Sequence, residues 1–446
     1  MPMHLFLRHS VAVFFLAGVA SIHAETLTLS SRSTTSAELP AAVSEALEHL
    51  AATPGQSHRL ILQGEFTPTS TIKILWWGDQ PLTVSGPALL DGSHMPDQSE
   101  TVFMAGRNLT LEGLHFTNSP GHAVVVGGGS DNYTVQDCVF EDCRRSAIHA
   151  WNNPYEIVDS PGRRGTIRNN RITRFNLDDA KWANDGITVY DQRVAIAGNY
   201  IADSPTESNG IRAMGRELLV EHNVVHSVSR DDSGGIYLWG GPHAYVFRGN
   251  IVRGNHVVGA SRGIYLDDGT SGARVEENII QDSAVCAIFL SGGRDNVVER
   301  NVADRAPVFV HLDSRCLAWD SRPEYAELAA LSIENLRDIL AESTAEKLFT
   351  SRYPELRGLT AKHLTLDEYG QPKANRVSDN FVRNIASTWE LMDFSVDVKT
   401  DFLSLNRLSD PQIFGGDEDL SLLNLRGRFG FTTWDSSADI GPRQDP

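Results

Sequence analysis

The chain has 446 residues, 41% of them apolar, which is ample for a large globular core. Its 57 acidic and 39 basic side chains give a formal charge of −18. That balance argues against nucleic acid or an anionic membrane as the partner, and weighs against a strongly polyanionic substrate.

At the N-terminus, His4 and Arg8 precede an apolar run from Val11 to Ala20, and the segment ends in Ala24, a small residue suited to signal-peptidase cleavage. Ten residues are too few to cross a bilayer. Residues 1–24 therefore read as a cleaved signal peptide, and the mature protein as periplasmic or secreted from a bacterium, with no membrane association after cleavage. Residues 25–80 read as an N-terminal cap, in which "LPAAVSEALEHLAA" (39–52) is an amphipathic helix and "RLILQGEF" a strand.

From about 81 to 316 the chain is a repeat. An Asn-x-(Ile/Val) motif recurs at Asn170, Asn199, Asn223, Asn250, Asn278 and Asn301, with one more at Asn380. Interleaved with it are "AIHAW", "GITVY", "GIRAM", "GIYLW", "GIYLD", "AIFLS" and "FVHLD". Each period holds two or three short strands of alternating polarity separated by Gly, Asn, Asp and Ser turns, and no helical stripe intervenes to make βαβ units. The expected fold is all-β: a single-stranded right-handed parallel β-helix, a pectin-lyase-like solenoid, with coils stacked about 4.8 Å apart. The Asn column would satisfy itself by amide-to-amide hydrogen bonds along the axis, with Cys138 standing in its place in an earlier coil. The four cysteines, Cys138, Cys143, Cys286 and Cys316, allow up to two disulfides, although buried free thiols are the commoner structural use. Residues 317–375 interrupt the repeat with helical spacing in "PEYAELAALSIENLRDILAES", and 376–446 supply a final coil and a C-terminal cap.

Strand alternation assigns directions to the second motif. With Ile264 and Leu266 inward, Tyr265 and Asp267 point outward. Two outward columns follow. One is His149, Thr188, Arg212, Tyr237, Tyr265, Phe289, His311; the other is Trp151, Tyr190, Met214, Trp239, Asp267, Ser291, Asp313. Trp151, Tyr190, Trp239, Tyr237 and Tyr265 would offer flat rings for sugar stacking, with His149, Arg212, His311 and Asp185 as polar contacts. Asp267 and Asp313 share a column two coils apart, about 9.6 Å between Cα atoms, so leaning side chains could approach the separation of an inverting glycosidase pair. Asp268 opens the turn "DGTSG" and is either a turn former or the third catalytic candidate. Asp231 and Asp232 are reserve candidates at a strand entrance, and Glu277 reads as structural.

The stretches "GIYLDDGTSG", "SGGRDNVVERN" and "VFVHLDSR", with "RYPELRGL" and "PKANRVSDN" beyond the insertion, resemble secreted right-handed parallel β-helix proteins similar to glycoside hydrolase family 141. The resemblance covers about 230–390. It implies hydrolysis of plant or algal glycans by a pair of aspartates on the β-helix face, which in this chain are Asp267 or Asp268 with Asp313. The leading expectation is thus a glycoside hydrolase acting on a plant, algal or bacterial polysaccharide, without metal and with no obligate cofactor, Ca2+ being left open, as a monomer or homotrimer. A polysaccharide lyase is the alternative, with His149, Arg212 and His311 serving a uronate. A non-catalytic glycan-binding solenoid is the third.

Overall fold

The computed structural model describes residues 24–432 apart from 54–56, 153–163, 179–183, 229–231, 319–322, 358–371, 393–403 and 417–424. The leader read over 1–24 lies outside these residues except for Ala24, and so does Asp231.

Among the described residues thirty strands join in one sheet, and every pairing is parallel. A typical coil carries three strands, such as Arg262–Asp267, Arg274–Glu276 and Ile279–Gln281, each bonded to its counterpart in the next coil. The result is the parallel β-helix expected from the two interleaved motifs. Inward residues such as Ile187, Ile211, Ile236, Ile264, Ile288 and Val310 are fully buried and stack in one continuous apolar core. The pairing extends beyond the repeat visible in the sequence, from Glu25–Ser30 at one end to Gln412–Ile413 at the other.

Two corners of each coil are built alike. At the first, a residue with left-handed backbone (Asp137, Asn169, Gly198, His222, Gly254, Glu277, Arg300) precedes a buried residue whose backbone N–H donates to the next coil's Asn. The ladder runs Asn170, Asn199, Asn223, Asn255, Asn278, Asn301, Asn380, with side-chain Nδ2 to Oδ1 distances of 2.9 to 3.0 Å at each step. Cys138 N donates to Asn170 Oδ1 at 3.1 Å, so that cysteine does stand at the head of the column. Asn250 does not belong to it. It sits at the second corner, where Leu218 N donates to it, in line with Asn296, Asn375 and Asn406 at the same corner of later coils. The long turn after Trp239, with its short 3-10 segment Gly241–His243, lengthens that coil and shifts the sequence spacing.

Helix α1 (Leu39–Ala52) caps the first coils by burying Leu39, Val43, Leu47 and Leu50 in the main core. Helices α2 (Pro323–Ala341) and α3 (Ser343–Arg352) form the insertion. Ile333, Leu336, Phe349, Tyr353 and Leu356 pack on Met214 and on Tyr245, Val246 and Phe247 of the long turn. Fully buried Arg248 fixes the contact, with Glu355 and Asp295 each 2.9 Å away. Near the C-terminus, Glu277 accepts from Thr432 N at 2.7 Å and Thr432 Oγ1 at 2.9 Å, and Phe429 and Phe431 pack on Ile279 and Val302. Glu277 is therefore a structural clasp. All four cysteines are free and buried.

Candidate active site

The two outward columns form in the expected register. Thr188 pairs with His149 and Arg212, Tyr237 with Arg212 and Tyr265, and Phe289 with Tyr265 and His311. Tyr190 pairs with Trp151 and Met214, Trp239 with Asp267, and Ser291 with Asp313. Pointing outward does not leave these side chains in solvent, however. Tyr237, Tyr265, Phe289, His149, Arg212 and His311 are all buried, whereas Trp151 is 54% exposed. The expectation of five flat rings open to a ligand is corrected accordingly. Guanidinium groups lie over the rings: Arg212 over Tyr237 at 4.7 Å, and Arg262 over Tyr265 and Phe289 at 5.0 and 5.4 Å. Cation–π contact and the rings' own stacking (Tyr265 on Phe289, 4.7 Å) close the column on itself.

The expected aromatic row is also split. Trp151 stacks on Tyr190 at 4.8 Å, with His149 on its other side at 5.8 Å. Met214, the next outward residue, is buried beneath the helical insertion, which Tyr190 and Trp239 flank. Trp239 instead belongs with the carboxylates: its indole Nε1 donates to Asp268 Oδ2 at 2.8 Å.

Asp185 and Arg212 form a closed unit. Asp185 Oδ2 accepts from Arg212 Nε at 2.7 Å and Thr188 Oγ1 at 3.1 Å, and its Oδ1 accepts from Asn209 N and Nδ2 at 2.9 and 2.7 Å. Every lone pair of the carboxylate is engaged in holding two coils together. Asp232, a reserve candidate, lies 3.4 Å from Arg262 at the surface.

Asp267, Asp268 and Asp313 do converge, and Arg315 is what they converge on. Its Nη1 lies 3.3 Å from Asp267 Oδ1 and 3.9 Å from Asp268 Oδ1, and its Nη2 lies 3.5 Å from Asp313 Oδ2. Asp268 would point inward if the strand continued past Asp267. Its φ of 45° places it in the left-handed region, which Asp tolerates better than most residues, and this turns the carboxyl back to the outer face. Asp268 is thus both the turn former and a member of the cluster. Asp267 also accepts from Tyr237 Oη at 2.7 Å, a buried phenol whose acidity is suppressed first by burial and then by Asp267 itself.

Three carboxylates facing one guanidinium in a buried site cannot all ionise easily. Burial, then the charge of Asp267, raises Asp268 to about 7 against opposing contributions from Trp239 and Arg315. Burial likewise raises Asp313 to about 6 although Arg315 opposes it. Contacts to the two ends of one guanidinium keep the Asp267 and Asp313 carboxyls within about 9 Å, a bound that admits both retaining and inverting separations. Among the described residues no group of three or more His, Cys, Asp or Glu side chains is arranged to hold a metal ion. Between these carboxylates the cation is Arg315.

Sequence reasoning did not single out Glu390. It lies in the coil after the insertion, paired in register with His311, with Oε2 3.1 Å from His311 Nδ1. The alternating "STWELM" was the available signal, but the insertion at 317–375 hid its coil position. Arg315 was visible only as a neighbour of Asp313.

A family model described as "Right handed beta helix region" matches residues 162–317, which gives the solenoid its hand. No curated protein matches the chain. Among solved structures, the chain is similar to the A-module of the Azotobacter vinelandii mannuronan C-5 epimerase AlgE4, at 12% identity, TM-score 0.48, over 85% of this chain and 92% of that one. It is also similar to an alginate lyase from Paenibacillus sp. (15%, TM-score 0.38, 65% and 91%) and to PfbA, a surface adhesin of Streptococcus pneumoniae (12%, TM-score 0.45, 64% and 87%).

Proposed function

We propose that this protein is a glycoside hydrolase of the exported kind, cleaving a plant, algal or bacterial polysaccharide with carboxyl groups drawn from Asp267, Asp268 and Asp313. The observation that carries the reading is the unequal environment of three carboxyls around Arg315. Asp268, raised to about 7, keeps its proton near neutral pH and is positioned by the Trp239 indole, as a general acid to a leaving glycosidic oxygen requires. Asp313, raised to about 6, is ionised above that pH and would activate water or attack. Asp267, held by Tyr237 and Arg315, adds its charge to the burial that keeps Asp268 protonated. Arg315 reaches across the cluster on a flexible side chain, so substrate hydroxyls would displace it to reach Asp313. The resemblance to glycoside hydrolase family 141 points to the same residues, and Trp151 with Tyr190 would bind a more distant part of the glycan.

The lyase alternative needs free cationic groups for a uronate, and Arg212 is committed to Asp185. Incubation with a panel of neutral and uronate-bearing glycans, followed for new reducing ends and for unsaturated-product absorbance, tests the reading. New reducing ends without unsaturated product, lost in Asp268→Asn and Asp313→Asn, are expected. Unsaturated product that survives both substitutions would establish elimination instead.

A further inference from the structure

Beside Asp313, which the acid/base assignment uses, lie buried polar atoms of Ser291 and His311 that it leaves unused. Ser291 and Asp313 are register partners in one outward column, and His311, two residues before Asp313, shares its strand and face. Ser291 Oγ and His311 Nε2 are buried without a hydrogen bond among the described residues, and Asp313 Oδ2 has only its 3.5 Å ion pair with Arg315. Three such atoms on two adjacent coils are unusual, because buried polar side chains nearly always find partners. The Asn ladders of the same coils leave none of their amides unsatisfied.

The chemistry of the group is set by His311. Its Nδ1 faces Glu390 Oε2 at 3.1 Å, and a carboxylate accepts, so Nδ1 carries the proton and Nε2 presents a lone pair. The ring packs on Phe289 at 4.2 Å, which fixes its plane. The charged groups around it are Glu390, Arg262 and Arg315. Burial is the largest influence and disfavours the charged imidazole, with the two arginines acting in the same direction and Glu390 against. A neutral imidazole nitrogen, a hydroxyl and a carboxylate oxygen together accept hydrogen bonds from hydroxyl groups. They offer a carboxylate one hydroxyl donor and the repulsion of Asp313, while the nearby guanidiniums are engaged, Arg315 by Asp267 and Asp313 and Arg262 over the Tyr265 and Phe289 rings.

We infer that Ser291, His311 and Asp313, with Glu390 positioning His311, form a subsite for the hydroxyl groups of a neutral sugar ring and discriminate against a uronate at that position. This rests on the hydrolase reading, which it deepens by naming the substrate class. Glu390 acts through His311 and does not itself touch the sugar.

The test uses the full chain with 15N-histidine labelling and needs no turnover. The His311 signals are assigned by their loss in His311→Gln, and methyl β-D-xylopyranoside, methyl α-L-fucopyranoside and sodium D-galacturonate are the probes. The expected spectrum shows a protonated Nδ1 and a bare Nε2. Addition of a neutral glycoside is expected to shift Nε2, with affinity falling about fivefold to tenfold in Ser291→Ala, the loss of roughly one hydrogen bond. Glu390→Leu should release the tautomer while Glu390→Gln, which keeps an acceptor, retains it. A protonated Nε2, a shift produced by galacturonate in preference to the neutral glycosides, or no shift with any probe would overturn the subsite. If a neutral glycoside binds as described while no glycan of the panel yields new reducing ends, the hydrolase reading falls and the subsite stands.

Discussion

The Asn corners and the Arg315 cluster are both buried polar regions of the same coils, yet they are built on opposite principles. In the corners one residue type repeats, and each amide both donates to and accepts from its neighbours. Asn278, for example, gives its Nδ2 to Val252 O, Glu276 O and Asn301 Oδ1 and receives at Oδ1 from Asn255. Around Arg315 no two adjacent coils carry the same residue: Trp239, Asp267, Ser291 and Asp313 follow one another in the column. Charges there outnumber their partners, carboxyls retain protons and polar atoms go unpaired. Repetition satisfies a buried group with its own copies, whereas breaking it leaves a group with reactivity to spare.

If that contrast is sound, substitutions in the two regions should fail in different ways. The largest effect is expected from Asp313→Asn and Asp267→Asn, each of which removes a charge without volume: turnover on a cleaved glycan should fall by about 10²–10⁴-fold, measured as kcat, with no loss of thermal stability. Asn278→Ala should do the reverse. Stripping one rung leaves buried Asn255 and Asn301 groups unpartnered and should cost about 2–4 kcal/mol in denaturant unfolding, with activity per folded molecule preserved.

Acidity sharpens the comparison further. Asp268 is raised in the folded state above the unfolded carboxyl value of 3.8 to about 7, so its contribution to stability is fully present below pH 4 and is lost as pH rises through 7. Asp268→Asn should therefore leave stability almost unchanged at pH 4 and increase it by about 1–3 kcal/mol at pH 8, as read from chemical denaturation at the two pH values. The smallest effect belongs to the exposed end of the face. Trp151→Ala should weaken glycan binding by about threefold to tenfold at unaltered stability, a loss that calorimetry with the cleaved glycan would detect.

What the sequence revealed follows the same division. Regular repetition is a local signal, so the β-helix, the inward Ile and Leu positions, the two outward columns and the first Asn ladder could be read from spacing alone. Asn250 was misplaced because the 240–249 turn mimics the repeat interval while moving the residue to another corner. The convergence of Asp267 and Asp313 was legible from register. The return of Asp268 to the outer face was not, since alternation sends it inward and only its left-handed backbone reverses that. Burial of Tyr237 and Tyr265 depends on Arg212, which the column itself contains, and on Arg262, which it does not announce. Glu390 and the cover over Met214 depend on where the insertion returns the chain, a long-range outcome of packing.

The central claim is that a proton on Asp268, kept there by burial and by the charge of Asp267, drives glycosidic cleavage. The pH dependence of kcat/KM for wild type and Asp268→Asn on one cleaved neutral glycan tests it most directly. The account predicts a bell-shaped wild-type profile whose alkaline limb falls near pH 7, with that limb and at least about 10²-fold of the rate gone in Asp268→Asn. A wild-type rate that stays flat to pH 9, or an Asp268→Asn variant that keeps the wild-type rate and profile, would contradict it.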